Sequence, residues 1–345
     1  METLTVGETL TAGETPAVAE TLTVDKALAL LENAKTVAIC SHVNPDGDAL
    51  GSALALAALL RARGCEVACL LAQDRPAPAL YGFLNGYEFL PASSYTATPD
   101  LFVALDLPGA SRLGDGVAVL DRALHSLCID HHPNYTGFTD SYYGDEQAAA
   151  TASLVWDIIK ESGITITPDM AAYCYVAVMT DTGRFAYQNT NVRTFLDAAE
   201  MVEHGADPTF INTQVYGNKS IPLLRLESRL IERMSFSHDN TTVYSWVEDE
   251  DFKELGVSSD DTESLPIILR SIADVKVAAL LRAEKDKVRV NLRSRCDCDV
   301  GELACRFGGG GHRAASGFTY NGSLDETINV LSEAFEQLVC TDDSQ

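Results

Sequence analysis

The chain contains 345 residues, of which 46% are hydrophobic and 22% are charged, and its formal net charge is −25. This length predicts two domains, and the absence of an apolar run of about eighteen residues argues against a transmembrane helix. Proteins that hold long nucleic acid carry a basic face, so 50 acidic residues against 25 basic ones argue against that class.

The start of the chain has the composition of a disordered tail. It is acidic and rich in threonine, and it holds too little apolar surface to offset the entropy of ordering. We therefore predict a tail over residues 1–22. The segment lacks the basic and apolar regions of a secretion signal, and the nine cysteines are scattered, so we expect a cytoplasmic protein with reduced thiols.

Short apolar runs alternate with helical patterns in the first half of the chain. The predicted strands are 36–42, 66–72, 101–106 and 124–130, and the predicted helices are 47–64, 147–161 and 169–182. Alternation of this kind predicts an α/β fold, with an N-terminal parallel sheet flanked by helices. In such a sheet a ligand site lies beyond the carboxyl ends of the strands.

The second half of the chain predicts a smaller α+β C-terminal domain. A helical connector at 191–234 is followed by strands at 241–247, 274–283 and 287–294, a helix at 299–306, a glycine run at 308–311 and a helix at 324–339. The stretch RAASG after the glycine run is helix-like. Between Arg270 and Arg313 the chain holds ten basic residues against six acidic ones, so this domain suits an anion.

Acidic residues and histidines stand where the predicted strands and helices of the first domain end. They are His42, Asp46 and Asp48 after the first strand, Asp106 after the third, Asp130, His131 and His132 after the fourth, and Asp181 at a helix end. Any one of these is more often a cap or a turn residue than a ligand. Their coincidence at four separate termini predicts a common site.

A cluster of this composition predicts bound metal ions. Carboxylates are costly to bury together unless cations neutralise them. Two imidazoles and four carboxylates suit a pair of divalent ions such as Mn²⁺ or Mg²⁺, whereas structural zinc would favour cysteine. Two such ions about 3.5–4 Å apart activate water for in-line attack on phosphorus, and this chemistry needs no protein nucleophile.

The same residues resemble the signature motifs of the DHH phosphoesterases. These motifs are SHVNPDGDALGS, Asp106 in VALD, the triplet Asp130-His131-His132, and Asp181 in VMTDTGR. GGGGHRAASGF at 308–318, preceded by NLRSR, resembles the glycine-rich motif of the DHH-associated domain. The chain is most similar to the nano-RNase/pAp phosphatase (NrnA-type) subgroup. The implied domains are a DHH catalytic domain at 23–208, a helical linker at 209–234 and a substrate-binding domain at 235–340.

The resemblance also implies roles for the clustered residues. The implied metal ligands are His42 and Asp46 for one ion, Asp48, His131 and Asp181 for the other, and Asp106 as a bridge between them. Asp130 would orient His131 or its loop. His132 would contact the transferring phosphoryl group or assist the leaving group, so His132, Asp106 and Asp130 are the expected catalytic residues.

Residues of the second domain are candidates for holding the substrate. The N–H groups of Gly309, Gly310 and Gly311 can cradle a phosphate. In the family, the residue that matches His312 would stack on a base or bind a terminal phosphate. The remaining candidates are Arg293, Ser294 and Arg295 near this loop, and Arg184 after the last metal motif.

A zinc site is an alternative interpretation of the same region. Cys296, Cys298, Cys305 and His312 follow a C-x-C-x₆-C-x₆-H spacing. Structural zinc sites usually pair their ligands as C-x₂₋₄-C and H-x₃₋₅-H, which this spacing does not repeat. We therefore favour the anion-binding interpretation.

We expect the substrate to bridge a cleft between the two domains, which limits its length. The expected activity is hydrolysis of oligoribonucleotides of two to a few residues, such as pApA and pGpG, and dephosphorylation of 3′-phosphoadenosine 5′-phosphate (pAp). The expected cofactors are two Mn²⁺ ions, with Mg²⁺ as the alternative. The rival functions are a cyclic-dinucleotide phosphodiesterase, a pyrophosphatase-like hydrolase and a catalytically silent nucleotide sensor. Long duplex nucleic acid and membranes are not expected partners, and the family implies a homodimer.

Overall fold

A computed structural model describes residues 19–237, 239–258, 262, 265–295 and 298–338, and for His312 it describes the backbone alone. The described chain separates into two units. The first takes in residues 19–75, 88–185 and 189–205, and the second takes in 76–87, 186–188 and the residues from 206 onward.

The first unit is built on a sheet of seven strands. In chain order these are β1 (Glu20–Thr21), β2 (Thr36–Ser41), β3 (Glu66–Leu71), β4 (Leu90–Pro91), β5 (Leu101–Leu105), β6 (His125–Asp130) and β7 (Ser141–Gly144). Their spatial order is β1-β7-β6-β5-β2-β3-β4, and each neighbouring pair is parallel. Every residue of β5 is buried, as expected of a central strand covered on both faces. The predicted α/β fold is confirmed.

The helices of this unit include the three that the sequence predicts at 47–64, 147–161 and 169–182. They are α1 (Val24–Asn33), α2 (Gly47–Ala62), α3 (Val117–Leu120), α4 (Thr151–Glu161), α5 (Pro168–Asp181) and α6 (Val192–Glu203). Thr167 caps α5 by accepting a hydrogen bond of 3.3 Å from the Met170 N–H, and Pro168 takes the first helical position, where its missing N–H has no consequence.

Two glycines let α2 approach α5 very closely. A Cβ atom on Gly51 would lie 2.5 Å from the carbonyl oxygen of Tyr173. A Cβ atom on Gly47 would lie 2.3 Å from Oγ1 of Thr180. Both separations are far below van der Waals contact, so the packing of these helices requires glycine at both positions.

The predicted tail differs from the structure at its last residues. Residues 1–18 lie outside the described part of the chain, but Glu20 and Thr21 pair in parallel with Ser141 and Tyr142. The edge of the sheet offers unpaired backbone groups there, and two residues of the threonine-rich segment satisfy them.

The second unit is a smaller α+β assembly, as predicted. Its strands are β8 (Ser235–Phe236), β9 (Thr242–Glu248), β10 (Val277–Glu284), β11 (Lys287–Ser294), β12 (Gly310–His312) and β13 (Ala315–Tyr320). They form one sheet in the order β12-β13-β11-β10-β9-β8, in which β9 and β10 are parallel and the other pairs are antiparallel. Its helices are α7 (Pro208–Asn212), α8 (Ile221–Glu232), α9 (Asp249–Leu255), α10 (Leu265–Arg270), α11 (Val300–Arg306) and α12 (Leu324–Glu336).

The segment predicted as a linker is part of the second unit. In α8, Leu223, Leu226 and Leu230 are buried in a core that also contains Val243 and Leu280 of the sheet. The apolar face of an amphipathic helix gains more from such burial than from exposure in a linker, which is the physical reason for the difference.

The glycine run forms a hairpin, and the prediction of helical structure for RAASG is wrong. β12 pairs with β13, which in turn pairs with β11. A Cβ atom added to Gly309 would lie 2.2 Å from the carbonyl oxygen of Gly317. A Cβ atom added to Gly310 would have no neighbouring atom within 4 Å. Close packing of the strands therefore explains why glycine is present at position 309, but it does not explain why glycine is present at position 310.

Six of the cysteines are free thiols, but Cys298 is disulfide-bonded, which differs from the expectation of reduced thiols throughout. Within the described residues, no helix is both long and apolar enough to cross a membrane.

Candidate active site

The predicted cluster lies at one edge of the first sheet. β5 is placed between β2 and β6, so these three strands end side by side. His42 and Asp106 directly follow β2 and β5, and Asp130 is the last residue of β6. The order of the strands therefore brings together three segments that are far apart in sequence.

Asp106 stands at the centre of this cluster and is 2% exposed. Its φ of 63° lies in the left-handed region, which a non-glycine residue adopts at an energetic cost and which is most frequent at functional sites. Its Oδ2 lies 3.3 Å from Nε2 of His42. Its Oδ1 lies 3.6 Å from Nε2 of His131 and 3.6 Å from Nδ1 of His132. The two oxygens of one carboxylate thus face different imidazoles.

Asp46 and Asp48 share the start of α2 but have different surroundings. Asp46 caps the helix, because its Oδ1 accepts hydrogen bonds of 3.1 Å from the N–H groups of Asp48 and Ala49. Its exposed Oδ2 lies 3.9 Å from Nε2 of His42. Asp48 is buried, and its Oδ1 accepts a hydrogen bond of 2.9 Å from the Ser52 hydroxyl.

The start of α4 holds two of these carboxylates. The N–H of Thr151 donates to Oδ2 of Asp48 at 2.6 Å, and the N–H of Ala152 donates to Oδ1 of Asp48 at 3.0 Å. The hydroxyl of Thr151 donates to Oδ1 of Asp106 at 3.0 Å. An acidic residue of α2 therefore satisfies the open N–H groups at the start of α4.

The two adjacent histidines have different hydrogen-bond partners. Nδ1 of His131 hydrogen-bonds the carbonyl oxygen of Ala148 at 3.1 Å, whereas Asp130 contacts Nδ1 of His132 at 2.8 Å. Asp130 thus holds the ring of His132. Asp130 is fully buried, so this carboxylate–imidazole pair is shielded from water.

Asp181 completes the cluster from the end of α5. Its Oδ2 lies 3.7 Å from Nε2 of His131. The side-chain amide of Asn189 donates to this Oδ2 at 3.2 Å and to the carbonyl oxygen of Ala149 at 2.9 Å. Asn189 therefore ties the Asp181 carboxylate to the loop that leads into α4.

A left-handed turn follows Asp181. Gly183, Arg184 and Phe185 have φ values of 54°, 63° and 62°. The turn is held by a hydrogen bond of 2.8 Å from the Arg184 N–H to the carbonyl oxygen of Met179. It leaves the Arg184 side chain exposed just beyond a member of the cluster.

The cluster has the composition and spacing of a divalent-metal site. Three groups of side chains each offer three ligand atoms within 4.8 Å of one another: His42, Asp46 and Asp106; Asp48, His131 and Asp181; and Asp106, His131 and His132. Oxygen and imidazole donors in this proportion suit hard to borderline divalent ions. The residues present therefore fit divalent metal ions.

The pKa directions of Asp48 and Asp181 show a shortage of positive charge near these two carboxylates. Burial alone would raise the pKa of Asp106, but the hydrogen bond from His42 and the neighbouring imidazoles lower it. Burial and the neighbouring Asp106 raise the pKa of Asp48 well above its usual range, and burial raises the pKa of Asp181 to about 6. Burial alone would lower the pKa of His131, but the carboxylates of Asp181 and Asp48 raise it to about 9. Without a bound cation the cluster therefore retains protons, and metal ions compete with these protons.

The candidates in the second unit lie along β11 and β12. Ser294 is 1% exposed, and its carbonyl oxygen accepts a hydrogen bond of 3.1 Å from Nε of Arg270. Arg295 is exposed and donates to the carbonyl oxygen of Ile272 at 3.0 Å. Arg293 is half-buried. The side chain of His312 lies outside the described part of the chain.

The zinc interpretation is weakened by the cysteines that the structure describes. Cys298 is disulfide-bonded, so it has no thiolate to offer a metal, and Cys305 is exposed. Cys296 lies outside the described residues.

Several residues of the site carried no signal in the sequence analysis. They are Arg112, Thr151 and Asn189. Arg112 approaches Nδ1 of His42 to 3.1 Å from a loop that is distant in sequence. Each is an ordinary residue in a loop or a helix, and long-range packing alone gives it a role.

Comparisons with protein families match both units. Residues 36–178 match the model of the DHH family, N-terminal domain, and residues 239–339 match the model of the DHHA1 domain.

Characterised relatives cover most of the chain. It is 26% identical over 301 residues to the bifunctional oligoribonuclease and PAP phosphatase NrnA of Bacillus subtilis, covering 86% of this chain and 93% of that protein. It is 29% identical over 307 residues to the protein of the same name from Thermus thermophilus, covering 87% and 89%. Among solved structures, an exopolyphosphatase-related protein from Bacteroides fragilis superimposes with a TM-score of 0.83 at 26% identity, covering 91% of this chain and 95% of that one.

Proposed function

We propose that this chain, which belongs to the DHH phosphoesterase family and carries a DHHA1 domain, hydrolyses short oligoribonucleotides and dephosphorylates pAp in a metal-dependent reaction. The names of the relatives in Bacillus and Thermus support these substrates. The observation that carries the proposal is the position of Asp106, which belongs to a group of ligands with His42 and to another with His131. A carboxylate shared in this way is what a two-metal phosphoesterase requires.

The proposed cofactors are two Mn²⁺ ions, with Mg²⁺ as the alternative. The proposed ligands are His42 and Asp46 for one ion, Asp48, His131 and Asp181 for the other, and Asp106 for both. The bound ions would supply charge neutralisation for the phosphoryl oxygens and a lowered pKa for the attacking water. All four of these carboxylates accept hydrogen bonds from protein groups, which keeps the ligands in place before metal arrives.

His132 is proposed to act as the general acid that protonates the leaving group. Asp130 occupies its Nδ1, so Nε2 is the atom that would carry a proton to the departing ester oxygen. The buried Asp130 carboxylate fixes the orientation of the ring. Arg184, exposed beside Asp181, would contact a non-bridging phosphate oxygen of the substrate.

The DHHA1 domain is proposed to bind the rest of the substrate through Arg293, Arg295, His312 and the glycine run at 309–311. Ser294 would contribute through its backbone, because its side chain is buried. The exposed Gly310 leaves the N–H groups of this edge accessible to a phosphate.

Gly310→Ala tests whether the substrate contacts this edge of the sheet, because the substitution does not disturb the packing of the strands. Its added methyl meets no neighbouring atom, so we expect an unchanged melting temperature and a KM for pApA raised about tenfold, since close approach of the substrate is blocked. Gly309→Ala is the matched control: its methyl collides with β13, so it should lower the melting temperature by destabilising the hairpin. An unchanged KM in Gly310→Ala would argue against substrate contact at this edge.

A homodimer is proposed to form through α6. Val192, Phe195 and Leu196 on its outer face are 77%, 57% and 61% exposed. With Ala199 and Val202 they make an exposed apolar stripe. Val192 and Val202, and Phe195 and Ala199, lie symmetrically about position 197, so two antiparallel copies would pair Phe195 with Ala199. Leu196→Glu should convert a dimer to a monomer in sedimentation equilibrium, and a wild-type protein that is already monomeric would contradict this proposal.

The cytoplasm is the proposed location, supported by six free thiols. The relatives' names point to short RNA and pAp as partners rather than long duplex nucleic acid.

The function is tested by presenting several substrates to the same preparation. Purified protein with Mn²⁺ is incubated with pApA, pAp, a 24-mer RNA, a cyclic dinucleotide and pyrophosphate, and the products are resolved. We expect turnover of pApA and pAp and little cleavage of the 24-mer. Rapid cleavage of pyrophosphate with inert pApA and pAp would overturn the proposal in favour of a pyrophosphatase. Preferred cleavage of the cyclic dinucleotide would indicate a cyclic-dinucleotide phosphodiesterase. Binding of nucleotides without cleavage would indicate a catalytically silent sensor.

A further inference from the structure

Thr151 contacts both of the proposed metal-ligand groups at once. It is completely buried and is the first residue of α4. Its hydroxyl donates to Oδ1 of Asp106 and its N–H donates to Oδ2 of Asp48. Asp106 belongs to the group with His42, and Asp48 belongs to the group with His131.

The hydroxyl selects which oxygen of Asp106 faces which group. The oxygen that accepts from Thr151 is Oδ1, and this oxygen faces Nε2 of His131 at 3.6 Å. The other oxygen, Oδ2, faces Nε2 of His42 at 3.3 Å. A carboxylate turns easily about its last side-chain bond, because that torsion has no sharp minima. A bridging carboxylate must nevertheless present one oxygen to each ion.

Metal binding makes this hydroxyl more important. An imidazole nitrogen that coordinates an ion uses its lone pair and cannot donate a hydrogen bond from the same atom. The contact between Nε2 of His42 and Asp106 is therefore lost as a hydrogen bond when an ion is held there. The Thr151 hydroxyl is not a ligand in any of the three groups, so its hydrogen bond persists.

We infer that Thr151 is a positioning residue for the metal pair, whose hydroxyl holds the Asp106 carboxylate in its bridging orientation. This inference rests on the proposed two-metal function. It also explains why a residue with a hydroxyl stands at the start of α4, where the helix N–H groups are already satisfied by Asp48.

The test measures the metal pair directly, without a substrate. Mn²⁺ alone is titrated into the full chain, and the pair is followed by calorimetry and by the exchange-coupled electron paramagnetic resonance signal of two neighbouring Mn²⁺ ions. Thr151→Ser and Thr151→Ala both remove the methyl group, but only the first keeps the hydroxyl. We expect Thr151→Ser to keep the coupled signal, and Thr151→Ala and Thr151→Val to weaken binding of the pair about 10- to 100-fold and lose that signal at concentrations that saturate the wild type.

Ser52→Ala provides the comparison within the same site. Ser52 donates to Asp48 and not to the shared carboxylate, so this variant should weaken binding of one ion but recover the full coupled signal when Mn²⁺ is raised to saturation. If Thr151→Ala keeps a wild-type signal and affinity, the inference fails while the proposed metal pair stands. If Thr151→Ser loses the signal as Thr151→Ala does, the hydroxyl is not responsible and the inference also fails. A wild-type protein that shows no coupled pair would overturn the two-metal proposal itself.

Discussion

Asp106→Asn is expected to lower kcat/KM for pApA by about 10³-fold or more. Loss of a residue that only supports a ligand reduces metal affinity or activity by roughly 10–100-fold, and Asp106 is proposed to serve both ions at once. The amide has the shape of the carboxylate but offers one oxygen instead of two and carries no charge. Four carboxylates would become three, so both metal affinities should fall together. The measurements are initial rates with saturating Mn²⁺ and a metal titration on the same sample.

Asp46→Asn is the matched control for this variant. Asp46 belongs to one of the three ligand groups and has an exposed side chain, so its replacement should affect one ion and leave the other bound. We expect Asp46→Asn to lose clearly less activity than Asp106→Asn, because only one of the two proposed ions loses a ligand. An Asp106→Asn protein that retains a tenth of the wild-type activity would disprove the bridging role.

Gly47→Ala is expected to damage both the fold and the site. Its methyl would lie 2.3 Å from Oγ1 of Thr180, which is adjacent to Asp181, and Gly47 itself lies between Asp46 and Asp48. Relief of this overlap should push α2 away from α5 and separate the carboxylates of Asp48 and Asp181, which are proposed ligands of one ion. Overpacking of this kind destabilises by about 1–3 kcal/mol, and each kcal/mol lowers the melting temperature of a unit this size by roughly 2–4 °C. Thermal melts and Mn²⁺ titrations measure the two effects.

A second substitution tests whether steric overlap causes the loss of stability and metal affinity expected of Gly47→Ala. Thr180→Ala removes the atoms nearest to the added methyl, so Gly47→Ala/Thr180→Ala should regain part of the lost stability and metal affinity. The same second change should not rescue Gly51→Ala, whose methyl collides with the backbone oxygen of Tyr173. If Thr180→Ala restored stability equally in Gly47→Ala and Gly51→Ala, overlap between Gly47→Ala and Thr180 would not be the cause of the lost stability.

Much of the fold follows from patterns that are local in sequence. The continuous apolar runs that form β2, β5 and β6 predict central strands, since both faces of such strands are buried. The rule that ligands bind beyond the carboxyl ends of parallel strands then locates His42 and Asp106 near each other.

Other features depend on partners that no local pattern reveals. Alanine favours helix at RAASG, but pairing of Val290 with Phe318 in the sheet overrides that preference. The apolar stripe of α8 is visible in the sequence, but its periodicity does not say which core it joins. The contact of Asp130 with His132 depends on how the chain turns after β6. The contact of Thr151 with Asp106 joins residues that are 45 positions apart in the sequence.

The order of the strands also affects how the protein is made. β5 pairs with β2 through Val37 and Leu101, and with β6 through Leu101 and His125, so the three ends of the site come together by long-range pairing. Such pairing forms slowly because long loops must close first. Asp181 follows all three strands, so a nascent chain on the ribosome lacks a complete set of ligands until this residue has emerged. Capture of the proposed metal pair should therefore wait until Asp181 is available, and chains that end before this residue should not retain two divalent ions.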